Sequence, residues 1–119
     1  GREFYNRINE DFKLYDITSH LDYVKKAYSY DEDGIKFYFY EGNKSFDMGN
    51  IYLDEVQNAA SSTSNKQDEI YKGENFSSII IQNNEKYYRI AYVDNTLLHG
   101  ETTPSKKAKI DEIFNKAGY

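Results

Sequence analysis

The clearest pattern in the chain is the strict alternation of Ile35-Lys36-Phe37-Tyr38-Phe39-Tyr40. It puts Ile35, Phe37 and Phe39 on one face of an extended segment and Lys36, Tyr38 and Tyr40 on the other, the signature of a half-buried strand. Asp33-Gly34 before it and Gly42-Asn43 after it tolerate the positive φ of tight turns. Upstream, Phe4, Ile8, Phe12 and Tyr15 recur at spacings of three and four, which predicts an amphipathic helix over residues 3–16. Residues 19–30 read in two ways. Tyr23, Val24, Ala27, Tyr28 and Tyr30 suit a strand paired with 35–40, whereas Ser19-His20-Leu21-Asp22 resembles a capped helix start with Leu21, Val24 and Tyr28 on one face.

After the polar run from Asn43 to Gly49, Asn50 can cap a helix that turns Leu53, Val56 and Ala60 inward. Residues 61–69 are polar and of low complexity, so they read as a loop. Ile70-Tyr71-Lys72-Gly73 reads as a short edge strand or turn. Ile79-Ile80-Ile81 is a β-branched run suited to a buried strand. Asn83-Asn84-Glu85 turns the chain into a strand over 86–94, and a further strand over 96–103 is broken at Gly100. Pro104 precedes a C-terminal helix carrying Ile110, Ile113 and Phe114, stopped at Gly118.

Two segments match as apolar-Asp-Glu-apolar-x-Asn-x-Ala: Leu53-Asp54-Glu55-Val56-Gln57-Asn58-Ala59-Ala60 and Ile110-Asp111-Glu112-Ile113-Phe114-Asn115-Lys116-Ala117. Each follows a predicted hairpin, so the chain reads as a duplicated unit. The expected fold is α+β: an N-terminal helix followed by two β-β-α units (21–60 and 70–118), in one domain spanning 1–119. Such units side by side build four or more antiparallel strands with helices mainly on one face. Facing periodicity then sets Phe37 beside Tyr88 and Phe39 beside Ile90, with Tyr38 opposite Arg89 on the outer face.

Composition narrows the function classes. The chain has 119 residues, a net charge of −5, 29% charged residues, 13 Tyr, 7 Phe and no Cys or Trp. The acidic balance argues against nucleic acid, which demands a basic stripe. With a mean hydropathy of −0.88, no apolar run approaches the roughly 20 residues that a membrane-spanning helix requires. Without cysteine there is no disulfide, thiolate nucleophile or cysteine zinc site.

Candidate chemistry is sparse. His20 and His99 lack a partner at ligand spacing and read as surface or loop residues. Asp31-Glu32-Asp33-Gly34 opens like a calcium loop, but Ile35 and Gly42 stand where the fifth and twelfth ligands belong. The acid pairs Glu10-Asp11, Asp54-Glu55 and Asp111-Glu112 are adjacent on helices and do not converge in a cleft by themselves. The serines at 61, 62 and 64 have no recognisable base. No catalytic residue, cofactor or metal site is expected, and the chain is read as a non-enzyme. The tyrosine surplus is the remaining signal. Tyr38, Tyr40, Tyr87 and Arg89 are expected on the outer sheet face, either as an open interaction surface or under the N-terminal helix.

The bias to lysine over arginine, the abundance of Asn, Tyr and Ile, an N-terminus at Gly1 without Met and the strand–strand–helix pattern together resemble small extracytoplasmic, lipoprotein-type domains of Gram-positive bacteria. The resemblance implies export or membrane anchoring through a removed leader. With the tyrosine-rich face it gives a first expectation: a binding domain whose partner is a protein or a cell-surface glycan. The alternative expectation is a cytoplasmic, acidic immunity or inhibitor protein that binds a basic toxin or enzyme.

Overall fold

The computed structural model describes residues 2–9, 11–43 and 48–119. Glu10 of the first acid pair and 44–47 of the polar run lie outside the described residues. The chain starts with α1 (Arg2–Ile8), followed by a two-residue strand β1 (Tyr15–Asp16) and a 3-10 turn (Thr18–His20). A hairpin of β2 (Val24–Glu32) and β3 (Ile35–Gly42) leads to α2 (Met48–Ser61). Four consecutive strands come next, β4 (Gln67–Lys72), β5 (Phe76–Gln82), β6 (Tyr87–Val93) and β7 (Thr96–Thr102), and α3 (Lys107–Ala117) ends the chain. All seven strands form one antiparallel sheet in the order β1-β2-β3-β7-β6-β5-β4.

The hairpins follow from local chemistry. Asp33 and Gly34 both take positive φ, 56° and 75°, the mirror-image turn that matches strand twist. At the next turn, the Asn83 side-chain oxygen accepts hydrogen bonds from the backbone N–H groups of Glu85 and Lys86, at 2.8 Å each.

The duplicated β-β-α architecture with helices on one face is overturned. The second half supplies four strands rather than two, and the described residues form a β-rich, seven-stranded sheet with three short helices divided between its faces. One face carries Tyr28, Tyr30, Phe37, Phe39, Tyr87 and Leu98 under α1 and α3, which contribute Phe4, Ile8, Ile110, Ile113 and Phe114. The other carries Val24, Ala27, Ile79, Ile81, Ile90 and Leu97 under Met48, Tyr52 and Ala59 of α2. The matched segments therefore lie on opposite faces. Their burial differs as well: Leu53 is 63% exposed while its counterpart Ile110 is fully buried. Helical periodicity with common surface residues was enough to produce the match.

Other expectations shift in detail. The N-terminal helix ends at Ile8 instead of running to residue 16, yet Phe12 still reaches the core because its backbone N–H bonds to the Ile8 carbonyl. Residues 24–32 are strand, which decides between the two readings of 19–30. Helix α2 begins at Met48, so Asn50 is inside it, and the inward face is Met48, Tyr52 and Ala59. The expected loop is shorter than nine residues, since Ser61 ends α2 and Gln67–Glu69 open β4.

Phe37 lies opposite Gly100 rather than beside Tyr88, because β3 pairs with β7. Gly100 does not break that strand; it lets α3 settle on it. A Cβ there would stand 2.8 Å from Ile110 Cγ2 and 3.1 Å from a ring carbon of Phe114, both in fully buried side chains. Neither can move without repacking its neighbours. Gly100→Ala is expected to lower unfolding free energy by about 1–3 kcal/mol, the range for overpacked cores, measured by urea denaturation; an unchanged midpoint would show that α3 is not seated on β7.

Candidate site beside helix α2

The strongest polar constellation is built around His99. In β7, Leu97, His99 and Glu101 share the α2 face, with Tyr38 of β3 opposite His99 and both Lys36 and Tyr88 opposite Glu101. Helix α2 lies above and lowers Glu55 onto the ring. His99 Nδ1 is 3.0 Å from Glu55 Oε2, and Nε2 is 3.1 Å from Glu101 Oε2. A carboxylate only accepts, so both contacts are hydrogen bonds only when both ring nitrogens carry protons. The buried histidine is thus held as an imidazolium between two carboxylates. Lys36 Nζ lies 3.6 Å from the other oxygen of Glu101, which makes a cluster of two positive and two negative groups.

Burial alone would push His99 down, but its hydrogen bonds to Glu101 and Glu55, reinforced by their charges, raise it to about 9. The hydrogen bond from His99 holds Glu101 below the usual carboxylate range against its own desolvation, and Lys36 adds to the effect.

Aromatic rings frame the cluster. Tyr38 and Tyr88 meet the His99 ring edge-on, with centroids 6.0 and 6.2 Å away. Tyr38 stacks on Tyr40, nearly parallel, at 6.3 Å. The Tyr88 hydroxyl is 3.2 Å from Ser62 Oγ at the end of α2. Between helix and sheet a cleft of about 250 Å³ opens, lined by Glu55, Asn58, Ser62, Tyr88, His99 and Glu101. A larger concavity of about 550 Å³, between Ser64–Gln67 and Asn83–Glu85, has no aromatic ring and no buried charge.

The four expected surface residues are not on one face. Tyr38 and Tyr40 lie half-buried on the α2 face; burial, followed by the charge of Glu55, pushes the Tyr40 hydroxyl well above the usual phenol range. Tyr87 and Arg89 lie on the α3 face. Tyr87 is only 3% exposed and donates to Asp111 Oδ1 at 2.7 Å; burial and that bond raise its hydroxyl too. The Arg89 guanidinium sits 4.6 Å over the Phe114 ring and bonds Asp111 at 3.0 Å. One outer face would require Tyr38 opposite Arg89, whereas the register sets it opposite His99.

The expectation that His99 is a surface or loop residue is likewise corrected, since it is buried. A signal was present: His99 and Glu101, two apart in a strand with Leu97, must share a face. Glu55 had none, because it arrives from 44 positions away. His20 is exposed, as are Asp31 to Gly34 at their turn. Asp54 is exposed beside Glu55, so that pair splits between solvent and site. Among the described residues, no group of three or more potential ligands is placed to hold a metal ion. No helix among them is long and apolar enough to cross a membrane.

No protein-family model matches the chain, and no curated protein matches it. A solved structure is similar: the crystal structure of a protein described as a GTP binding regulator from Thermotoga maritima. It aligns with a TM-score of 0.56 at 14% identity, covering 97% of this chain and 84% of the other. Likeness at that identity concerns the fold alone.

The folded-state value of His99 lies above its ordinary 6.5. Its stabilisation is therefore complete below about pH 6.5 and fades as pH rises through about 9, at up to about 1.4 kcal/mol per pH unit. Glu101, shifted downward, acts at the other end: its contribution is present above its ordinary value of 4.5 and is lost as pH falls below it. The urea midpoint is expected to fall between pH 6.5 and 9.5 in the wild type. In His99→Gln that slope should vanish; a slope that persists would place its origin elsewhere.

Proposed function

We propose that the chain is a non-catalytic recognition domain that binds through the cleft between α2 and the Tyr38–His99–Tyr88 row. The observation that carries this reading is the charge balance of the cleft. Glu55 and Glu101 are offset by His99 and Lys36, so no ion gains much from entering. The site instead offers ring faces and edges beside carboxylate, carboxamide and hydroxyl groups. That chemistry suits a neutral, hydroxyl-rich ligand such as a sugar unit of a cell-surface glycan.

The state of His99 supports binding over catalysis. A general base works best with a value near the operating pH, and His99 is raised to about 9 with both nitrogens engaged. The description of the structural neighbour as a GTP binding regulator is compatible with a binding role for this chain, without indicating its ligand.

The test is a titration of the isotope-labelled chain with soluble glycan fragments released from bacterial cell walls by muramidase, followed by backbone NMR. Shifts are expected at Tyr38, Asn58, Ser62, Tyr88 and His99. Tyr88→Ala, which removes the aromatic ring lining the cleft, should weaken binding by about three- to tenfold, the worth of one aromatic contact, with the melting temperature changed by only a few degrees. Absence of shifts in the cleft, or full-strength binding by the variant, would reject the reading.

A further inference from the structure

We propose that β4 is the interface of a symmetric homodimer, in which two copies pair antiparallel about Ile70 and continue one sheet through both protomers. At the far edge the outermost strand, β1, has only two residues, whereas β4 presents six, all exposed. Such an edge is a row of backbone donors and acceptors ready to pair with another strand. Ile70 is 55% exposed and Tyr71 59%. Charged side chains commonly protect edges of this kind, and β4 carries several. Their order makes them selective.

Pairing with β5 places Asp68, Ile70 and Lys72 on one face, opposite Ile81, Ile79 and Ser77. Across a two-fold axis through Ile70, Asp68 of one copy faces Lys72 of the other, and the reverse holds by symmetry. Ile70 meets its own copy at the centre. On the opposite face Tyr71 covers Glu69, whose side chain remains at the sheet surface.

Competing registers place like charges together or lose the opposite-charge pairs. With the axis at Glu69, that residue faces itself and Lys66 faces Lys72. With the axis at Tyr71, Asp68 has no partner within the strand and Ile70 faces Lys72. A parallel, in-register pair sets Asp68 on Asp68 and Lys72 on Lys72. Opposite charges across a strand pair stabilise and like charges destabilise, so the strand accepts its own copy in one register and resists slipped pairings. Asp68 already pairs at 2.6 Å with Lys66, just before the strand, and Lys72 of the second copy joins it from across the axis.

Sedimentation equilibrium of the 119-residue chain, from about 10 μM to about 1 mM, tests the proposal. The expected result is a monomer–dimer equilibrium. Lys72→Glu, which sets acid against Asp68 twice, should raise the dissociation constant at least tenfold. Adding Asp68→Lys to it restores opposite charges and should return the constant to within about fivefold of wild type. Hydrogen exchange of the wild type, which requires no variant, should show concentration-dependent protection of the Gln67–Lys72 amides. A chain that remains monomeric throughout, a dimer indifferent to Lys72→Glu, or a dimer whose β4 amides gain no protection would each overturn the proposal.

Discussion

The pairing of β3 with β7 is the constraint on which the rest depends. It joins an N-terminal hairpin to a C-terminal meander and makes one sheet of segments some sixty positions apart in the chain, with Phe37 opposite Gly100 and Tyr38 opposite His99. On one side of that seam the missing side chain of Gly100 gives room for Ile110 and Phe114, so α3 lies close against the strands. On the other side it creates the row from which Tyr38, His99 and Tyr88 face α2. Core and candidate site are two faces of the same pairing.

His99 shows how the two are coupled. A buried imidazolium is costly unless it is paired and hydrogen-bonded. Here one carboxylate comes from its own strand and the other from α2. The charge therefore fastens the helix to the sheet on the acidic and neutral side of the titration. The same arrangement occupies both ring nitrogens. The Tyr87–Asp111–Arg89 group repeats the principle on the α3 face, where Arg89 also packs on Phe114. Each face thus ties a helix to the sheet by a polar contact beside an apolar core.

Local readings were reliable where one strand or turn decided them. The alternation of 35–40, the Asp33-Gly34 turn and the Ile79–Ile81 run all describe strand or turn in the structure. Helix faces were less legible. Leu53, Val56 and Ala60 form a plausible inward stripe, but Met48, Tyr52 and Ala59 form the real one, about one position around the helix. Leu53 is left in solvent because the surface beneath α2 accepts a tyrosine, whose hydroxyl receives a hydrogen bond from Ser77. The apparent repeat failed for the same reason: a hydrophobic stripe reports that one side is buried but not what buries it.

Periodicity and turn chemistry act over a few residues, and they decided which segments extend, which coil and where the chain reverses. Strand order, the division of helices between two faces and the meeting of Glu55 with His99 rest on contacts between distant segments, and several partners were compatible with each local pattern. Tyr38 illustrates the boundary. Its place on the polar face of β3 follows from alternation alone, while its neighbour, His99 rather than Arg89, follows from β7 filling the slot beside β3. Side-chain alternation is a property of one strand, but the residue across the seam is set by the energy of packing the whole sheet.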